Sequence, residues 1–189
     1  MLTTERLILV PLTEEHLPFE IELDADPDVM RYLFAGKPRT ADEVRESHAR
    51  RVRVAADAPG LGLWVGMVDG RPAGWWLLEP PQRDDGDVSG PRAGQAELGY
   101  RLLPCYWRRG LAVEGSRALL RHCFTGLRLD RVFAETMAVN VRSRATMARL
   151  GMTHVRTFHV ELDEPIDGWQ QGEVEYAITR DEWLAATPR

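Results

Sequence analysis

From Glu97 to Ser116 the chain reads Glu-Leu-Gly-Tyr-Arg-Leu-Leu-Pro-Cys-Tyr-Trp-Arg-Arg-Gly-Leu-Ala-Val-Glu-Gly-Ser. No other stretch constrains the fold as much. Its first half alternates like a strand, Pro104 breaks the ladder, and a basic, glycine-containing turn opens a helix. A strand that hands over to a helix in this way exposes a row of backbone N–H groups at the positive end of the helix dipole. Arg108 and Arg109 stand beside them. Such a place suits a phosphate or pyrophosphate. Gly110 permits close approach of a bulky anion, and Ala112 puts little side chain over the same surface. Each helix-end charge interaction is worth only about 0.3–2 kcal/mol, so several N–H donors must act together, with charge-assisted bonds from the arginines.

The rest of the chain reads as strands and helices in alternation. Arg6 to Leu12 is a first strand, stopped by Pro11. Thr13 caps a helix to about Asp24, Asp26-Pro27 restarts a short one, and Thr40-Ala-Asp-Glu43 is a capping box for a helix to about Asp57. The arginines of that last helix read as a solvated face. Leu61–Val68 and Arg71–Leu78, around Asp69-Gly70, form a hairpin. Pro80 to Gly94 lacks apolar periodicity and reads as a long loop. After the strand Gln95–Leu103 and the helix to about Cys123 come a strand at Arg131–Met137 and a short helix from Asn140, ended by Gly151. Strands at His154–Leu162 and Glu173–Thr179 follow, and Thr179-Arg-Asp-Glu182 caps a terminal helix. The order predicts a mixed sheet in an α/β (α+β) fold. At 189 residues, with no internal repeat or linker, one domain over 1–189 is expected.

Composition narrows the function. A net charge of −5 argues against nonspecific nucleic-acid binding, which needs a cationic surplus. Cys105 and Cys123 are the only cysteines, and no His cluster has metal spacing, so neither a disulfide framework nor a metal site is expected. No apolar run is long enough for a membrane span, and the N-terminus does not read as a signal peptide, so a cytoplasmic location is expected. A phosphate-binding lysine loop is absent, which argues against ATP or GTP.

Trp107-Arg-Arg-Gly-Leu-Ala112 resembles the glutamine/arginine-x-x-glycine-x-glycine/alanine signature of the GNAT N-acetyltransferase superfamily, departing from it only at Trp107. Asn140-Val-Arg-Ser143 opening a helix that ends at Leu150-Gly151-Met152 also fits. Glu5–Leu12, Asp26–Tyr32 and Glu173–Trp183 resemble the Rim-type branch, whose members acetylate N-termini of ribosomal proteins. The resemblance implies a central mixed, mostly antiparallel, splayed sheet of about seven strands flanked by helices. Acetyl-coenzyme A would enter the split as acetyl donor, with no metal. Its pyrophosphate would lie on the N–H groups of Arg108, Arg109, Gly110, Leu111 and Ala112, and its pantetheine arm would pair with Leu102 and Leu103. Asn140 and Ser143 would lie at the pantetheine or thioester end. The acetyl group would pass directly to an amine.

Direct transfer needs a neutral amine, a stabilised oxyanion and a proton for the thiolate. Glu97 is the candidate general base, placed by alternation on one strand face with Gly99 and Arg101. A salt bridge, for instance to Arg101, is the competing reading. Backbone N–H near Leu102 would hold the oxyanion. Tyr106 and Ser143 are open candidates for the acid. The acceptor is expected to be a peptide N-terminus or a small cationic amine. It would be held by Met30–Phe34, by one of Trp75 and Trp76, and by the loop Asp163–Gly172 with Asp163, Glu164 and Asp167. Nucleic acid and membrane are not expected as partners, and a homodimer is left open. Two other classes compete: a non-catalytic acyl-coenzyme A sensor or scaffold, and a thioesterase using Cys105 or water.

Overall fold

The computed structural model describes residues 1–33, 35–57, 60–80, 94–160 and 165–186. Eight strands form one sheet in the order β1-β2-β3-β4-β5-β6-β8-β7. They are β1 (Leu2–Thr3), β2 (Ile8–Pro11), β3 (Gly62–Val68), β4 (Arg71–Glu79), β5 (Gln95–Leu102), β6 (Arg131–Met137), β7 (Thr153–Phe158) and β8 (Glu173–Thr179). The helices are α1 (Leu17–Asp24), α2 (Pro27–Met30), α3 (Ala41–Asp57), α4 (Leu111–Arg121), α5 (Val141–Arg149) and α6 (Arg180–Ala186). The mixed sheet flanked by helices is the expected fold class, with one strand more than anticipated. The extra strand, β1, is two residues long and carries no period to read. Strand β2 ends at Pro11, as expected, with Pro11 itself still inside the ladder opposite Trp64. The expected long loop falls largely outside the described residues, and β7 ends at Phe158, with His159 and Val160 beyond the ladder and short of the expected Leu162.

The helix starts follow their caps. The Asp26 carboxylate accepts from the Asp28 and Val29 N–H groups at 2.9 and 3.2 Å. Thr40 and Glu43 close a reciprocal box, as do Thr179 and Glu182. Asp69 and Gly70 both take positive φ (49° and 74°), the geometry that lets a two-residue turn follow the strand twist.

Among the described residues only β5 and β6 run parallel, and they pair from Gln95 to Glu97 against Arg131 to Phe133. Both strands continue beyond that point, so the sheet splays there. Helices α4 and α5 cover one face, over a core that includes Trp76, Leu98, Leu119, Ala134 and Met147. The α1–α3 segment covers the other, over Phe19, Leu23, Val65 and Trp75. Trp75 and Trp76 therefore face opposite ways, as neighbours on a strand must. Trp76 is fully buried, its ring pressed between Gly66 and Gly115. A Cβ on Gly115 would lie 2.5 Å from that ring, and the indole N–H donates to the Ala112 carbonyl at 3.3 Å. This contact sets the height of α4 above the sheet.

Candidate active site

The turn between β5 and α4 is built from two left-handed residues, Arg108 (φ 58°) and Gly110 (φ 80°), the second serving as N-cap of α4. Glu114 N–H to the Gly110 carbonyl, at 3.0 Å, is the first bond of the helix ladder. The N–H groups of Leu111, Ala112 and Val113 precede it and have no intrahelical acceptor. A Cβ at Gly110 would meet a single neighbour, the Arg6 guanidinium at 3.5 Å. The turn is thus an open, donor-rich cradle, and its residues fit a pyrophosphate.

Arg6 is a residue that sequence reasoning did not place here. Its guanidinium donates to the Arg109 carbonyl at 2.8 Å and pairs with Glu114 at 2.6 Å, while Thr4 donates to the same carboxylate at 2.6 Å. The N-terminal turn therefore braces the cradle from a distance of about a hundred residues in the chain. No local signal reveals that link.

Successive strand residues turn their backbone groups to opposite edges. Leu103 N–H donates to the Ala73 carbonyl of β4 at 3.0 Å, so Leu102 turns its own groups into the split. The Leu102 carbonyl accepts the Trp107 indole N–H at 2.7 Å, and Arg142 stacks on that indole at 5.7 Å. Trp107, the departure from the signature, thus ties the cradle to the end of β5. Asn140 caps α5, its amide oxygen accepting from Ser143 N–H at 3.3 Å and its amide nitrogen donating to the Thr136 hydroxyl at 3.0 Å. The Ser143 hydroxyl lies 3.0 Å from that of Tyr100, joining β5 to α5 across the split. Burial keeps the Tyr100 phenol protonated beyond its ordinary range. Tyr106, by contrast, lies under the Arg109 guanidinium at 5.6 Å.

On the opposite face, Glu97 sits with Gly99 and Arg101 as alternation requires. Its expected competitor, a salt bridge to Arg101, does not form. Arg101 instead pairs with buried Asp24 at 2.6 Å and stacks on Trp75 at 4.7 Å. Glu97 faces Glu79 across the β4–β5 ladder, and burial first, then the Glu79 charge, raises its carboxyl pKa. Glu135, on the same face of β6, is pushed up to about 7 by burial and by the charges of Glu97 and Glu175, which Arg156 partly offsets. Glu175 itself is held by Arg131 and by Arg156, the latter at 2.6 Å. Glu135 was missed because its nearness to Glu97 depends on a non-local parallel register.

The arginines of α3 are not all solvated, contrary to expectation. Arg51 pairs with fully buried Glu20 at 2.7 Å, and His48 contacts the same carboxylate at 2.6 Å. Arg39 pairs with Asp24 at 3.1 Å. These contacts pin α3 and the segment before it to α1, and the Arg101–Asp24 pair ties α1 to β5. A Cβ at Gly36 would lie 2.6 Å from the Ile166 side chain, so the loop after α2 packs on the loop before β8. Gly36 lies just beyond the expected acceptor segment Met30–Phe34, while Ile166 is within the expected loop Asp163–Gly172. Phe34, Asp163 and Glu164 lie outside the described residues, and Asp167 is exposed. Cys105 is exposed in the turn after β5, and burial pushes the Cys123 thiol up to about 12. No helix among the described residues is long and apolar enough to cross a membrane.

A donor-rich cradle at the point where the sheet splays, with a buried carboxylate on the other face of β5, is a geometry suited to a phosphate-bearing cofactor and an amine acceptor. Residues 6–153 match the family model described as an acetyltransferase (GNAT) domain. The FsC-acetyl coenzyme A-N(2)-transacetylase of Aspergillus fumigatus is 44% identical over 183 residues, covering 97% of this chain and 77% of that one. Among solved structures, AAC(6')-Ib in complex with ribostamycin and coenzyme A superposes with a TM-score of 0.79 at 16% identity, covering 97% of this chain and 99% of that one. The spermidine N-acetyltransferase of Vibrio cholerae, in complex with coenzyme A and spermine, gives 0.75 at 18% identity over 96% and 99%. The chain belongs to the GNAT acetyltransferase family. It is an acetyl-coenzyme A-dependent N-acetyltransferase.

Proposed function

We propose that this enzyme acetylates a primary amine of a small polar molecule, with Glu97 as general base. The observation that carries this reading is the pairing of opposites across the split. An anion cradle lies at the start of α4. On the other face of β5 lies Glu97, its carboxyl raised by burial and by Glu79, beside Glu135, whose cation Arg156, at 3.6 Å, is shared with Glu175. The cradle N–H groups of Arg108 to Ala112 would bind the pyrophosphate, and the Leu102 N–H would meet the oxyanion. A cationic amine entering over the carboxylates is attracted by them and gives up its proton to Glu97, directly or through water. The raised carboxyl brings Glu97 closer to the pH at which a base works best. The hydroxyl pair Tyr100–Ser143, kept protonated, is suited to return a proton to the departing thiolate. Asn140 holds the start of α5, and with it Ser143, in place.

The Aspergillus relative is named for acetylation of FsC at N(2), which makes FsC the first acceptor to try. A peptide α-amine, the acceptor that the Rim-type likeness implies, is the second class. The test is coenzyme A thiol release from acetyl-coenzyme A over FsC, N-terminal peptides, lysine peptides, polyamines and aminoglycosides, beside a no-amine control. Release that depends on a small amine supports the reading. Release only with peptides moves the acceptor to the Rim-type class. Release in the control alone would mark thioester hydrolysis and overturn it.

A further inference from the structure

A second basic feature lies behind the cradle, on the outer side of α4. Arg117 and Arg121 stand one turn apart on α4, Arg149 lies in the last turn of α5, and all three are exposed. They line one open cleft of about 550 Å³, whose rim reaches Gly110 at the cradle and the N-terminal turn at Thr4. Among the described residues none of the three pairs with a carboxylate. Arg117 donates to the Arg149 backbone carbonyl, at 3.2 Å, which holds its guanidinium at the C-terminal end of α5. Nearby anions do not answer them. Glu114 is engaged by Arg6 and Thr4, and Glu5, at the same rim, forms no ion pair with them. Arg121 and Arg149 each sit at a helix C-terminus, where one cation is favourable. That accounts for each singly, but not for three guanidinium groups gathered in one cleft, where they repel.

Distance ties the cleft to the cradle. Arg117 follows Gly110 by seven residues, about 10 Å along the helix, and helical side chains lean back toward the N-terminus. A guanidinium there reaches toward an anion a few ångströms beyond a pyrophosphate at the helix start. Coenzyme A carries such a group, a 3′-phosphomonoester on the ribose next to its pyrophosphate. Resting on the cofactor reading above, we infer that the Arg117–Arg121–Arg149 cleft binds the 3′-phosphate of coenzyme A. Arg117 and Arg149 make the direct contacts, and Arg121 adds charge. The enzyme would then select the phosphorylated cofactor over 3′-dephospho-coenzyme A, a choice that the cradle cannot make because both ligands carry the same pyrophosphate.

Calorimetric titration with coenzyme A and with 3′-dephospho-coenzyme A, at fixed ionic strength, tests this. The wild-type chain should prefer coenzyme A by about ten- to a hundredfold, the size expected of charge-assisted bonds. In the Arg117→Ala/Arg149→Ala variant that preference should fall below about threefold, while affinity for the dephospho ligand stays unchanged and certifies the fold. Arg117→Lys/Arg149→Lys should recover part of it. Equal wild-type affinity for the two ligands, or a preference that survives the double alanine variant, overturns the inference. Inorganic phosphate, added as a competitor at the nucleotide concentration, should leave the preference intact. If it erases the preference, the cleft is a general anion site and the assignment to coenzyme A falls. Binding of neither ligand would sink the cofactor reading together with this one.

Discussion

The two faces of the sheet are built by different means. On the α4/α5 face, the anion cradle comes from one contiguous run, Leu102 to Ala112, and needs little more than its own backbone conformation. Its support is apolar, the Trp76 ring wedged beneath α4. On the α1–α3 face nothing is contiguous. Glu97, Glu135, Asp24 and Arg101 come from three elements, β5, β6 and α1, and the Asp24–Arg101 ion pair crosses the molecule. On the proposed reading, the first face is a local solution to binding a fixed group, a pyrophosphate. The second is a long-range solution, and changing any one of its elements reshapes the surface offered to an acceptor. The common donor and the variable acceptor are thus handled by the kind of structure suited to each.

If the faces work separately, damage to one should spare the other. Gly110→Glu puts a carboxylate at a left-handed position in the cradle, and acetyl-coenzyme A binding should be lost in calorimetry. Retained wild-type affinity would remove the cradle from the donor site. Glu97→Gln should lower kcat/KM by about 10²–10⁴ with acetyl-coenzyme A affinity unchanged. A parallel loss of donor affinity would mean that the faces are coupled. Asp24→Asn leaves Arg39 and Arg101 beside a neutral, buried partner, and should cost about 3–5 kcal/mol in urea unfolding. An equal loss of stability measured with coenzyme A bound would keep the damage on the acceptor face.

The smallest effect is a pH dependence. The folded Glu135 carboxyl titrates at about 7 against an ordinary value of 4.5, so the folded chain holds a proton that the unfolded chain has released. Stability from this group is therefore present below pH 4.5 and lost as pH rises through about 7. Glu135→Gln should raise Tm above pH 7 by about 2–4 °C, an effect near 1 kcal/mol for a solvent-screened group, and the gap should close in acid. A gap independent of pH would assign the change to packing instead.

The same contrast explains what could be read from the chain before the fold was known. Strands β6 and β8 and the caps at Asp26, Thr40 and Thr179 are local patterns, and they lie where those patterns put them. The cradle was legible for the same reason: proline, arginine and glycine spacing fixes a turn within a few residues. Arg6 and Glu135 were not legible, because their roles depend on which strands neighbour one another. Glu97 lay between these cases. Alternation chose its face, but only the Asp24–Arg101 pair, 77 residues apart in sequence, shows that Arg101 is already engaged. Helix α3 misled for a related reason, since Arg51 looks like a surface cation until Glu20 is brought beneath it.

The seating of Trp76 between Gly66 and Gly115 also limits how this sequence can drift. Neither glycine can gain a side chain while the indole remains, and the indole cannot shrink without leaving a void beneath α4. A viable change at one of the three positions therefore calls for a compensating change at another. In a deep set of relatives, these positions should vary as a unit, and variants carrying only a single exchange should be rare.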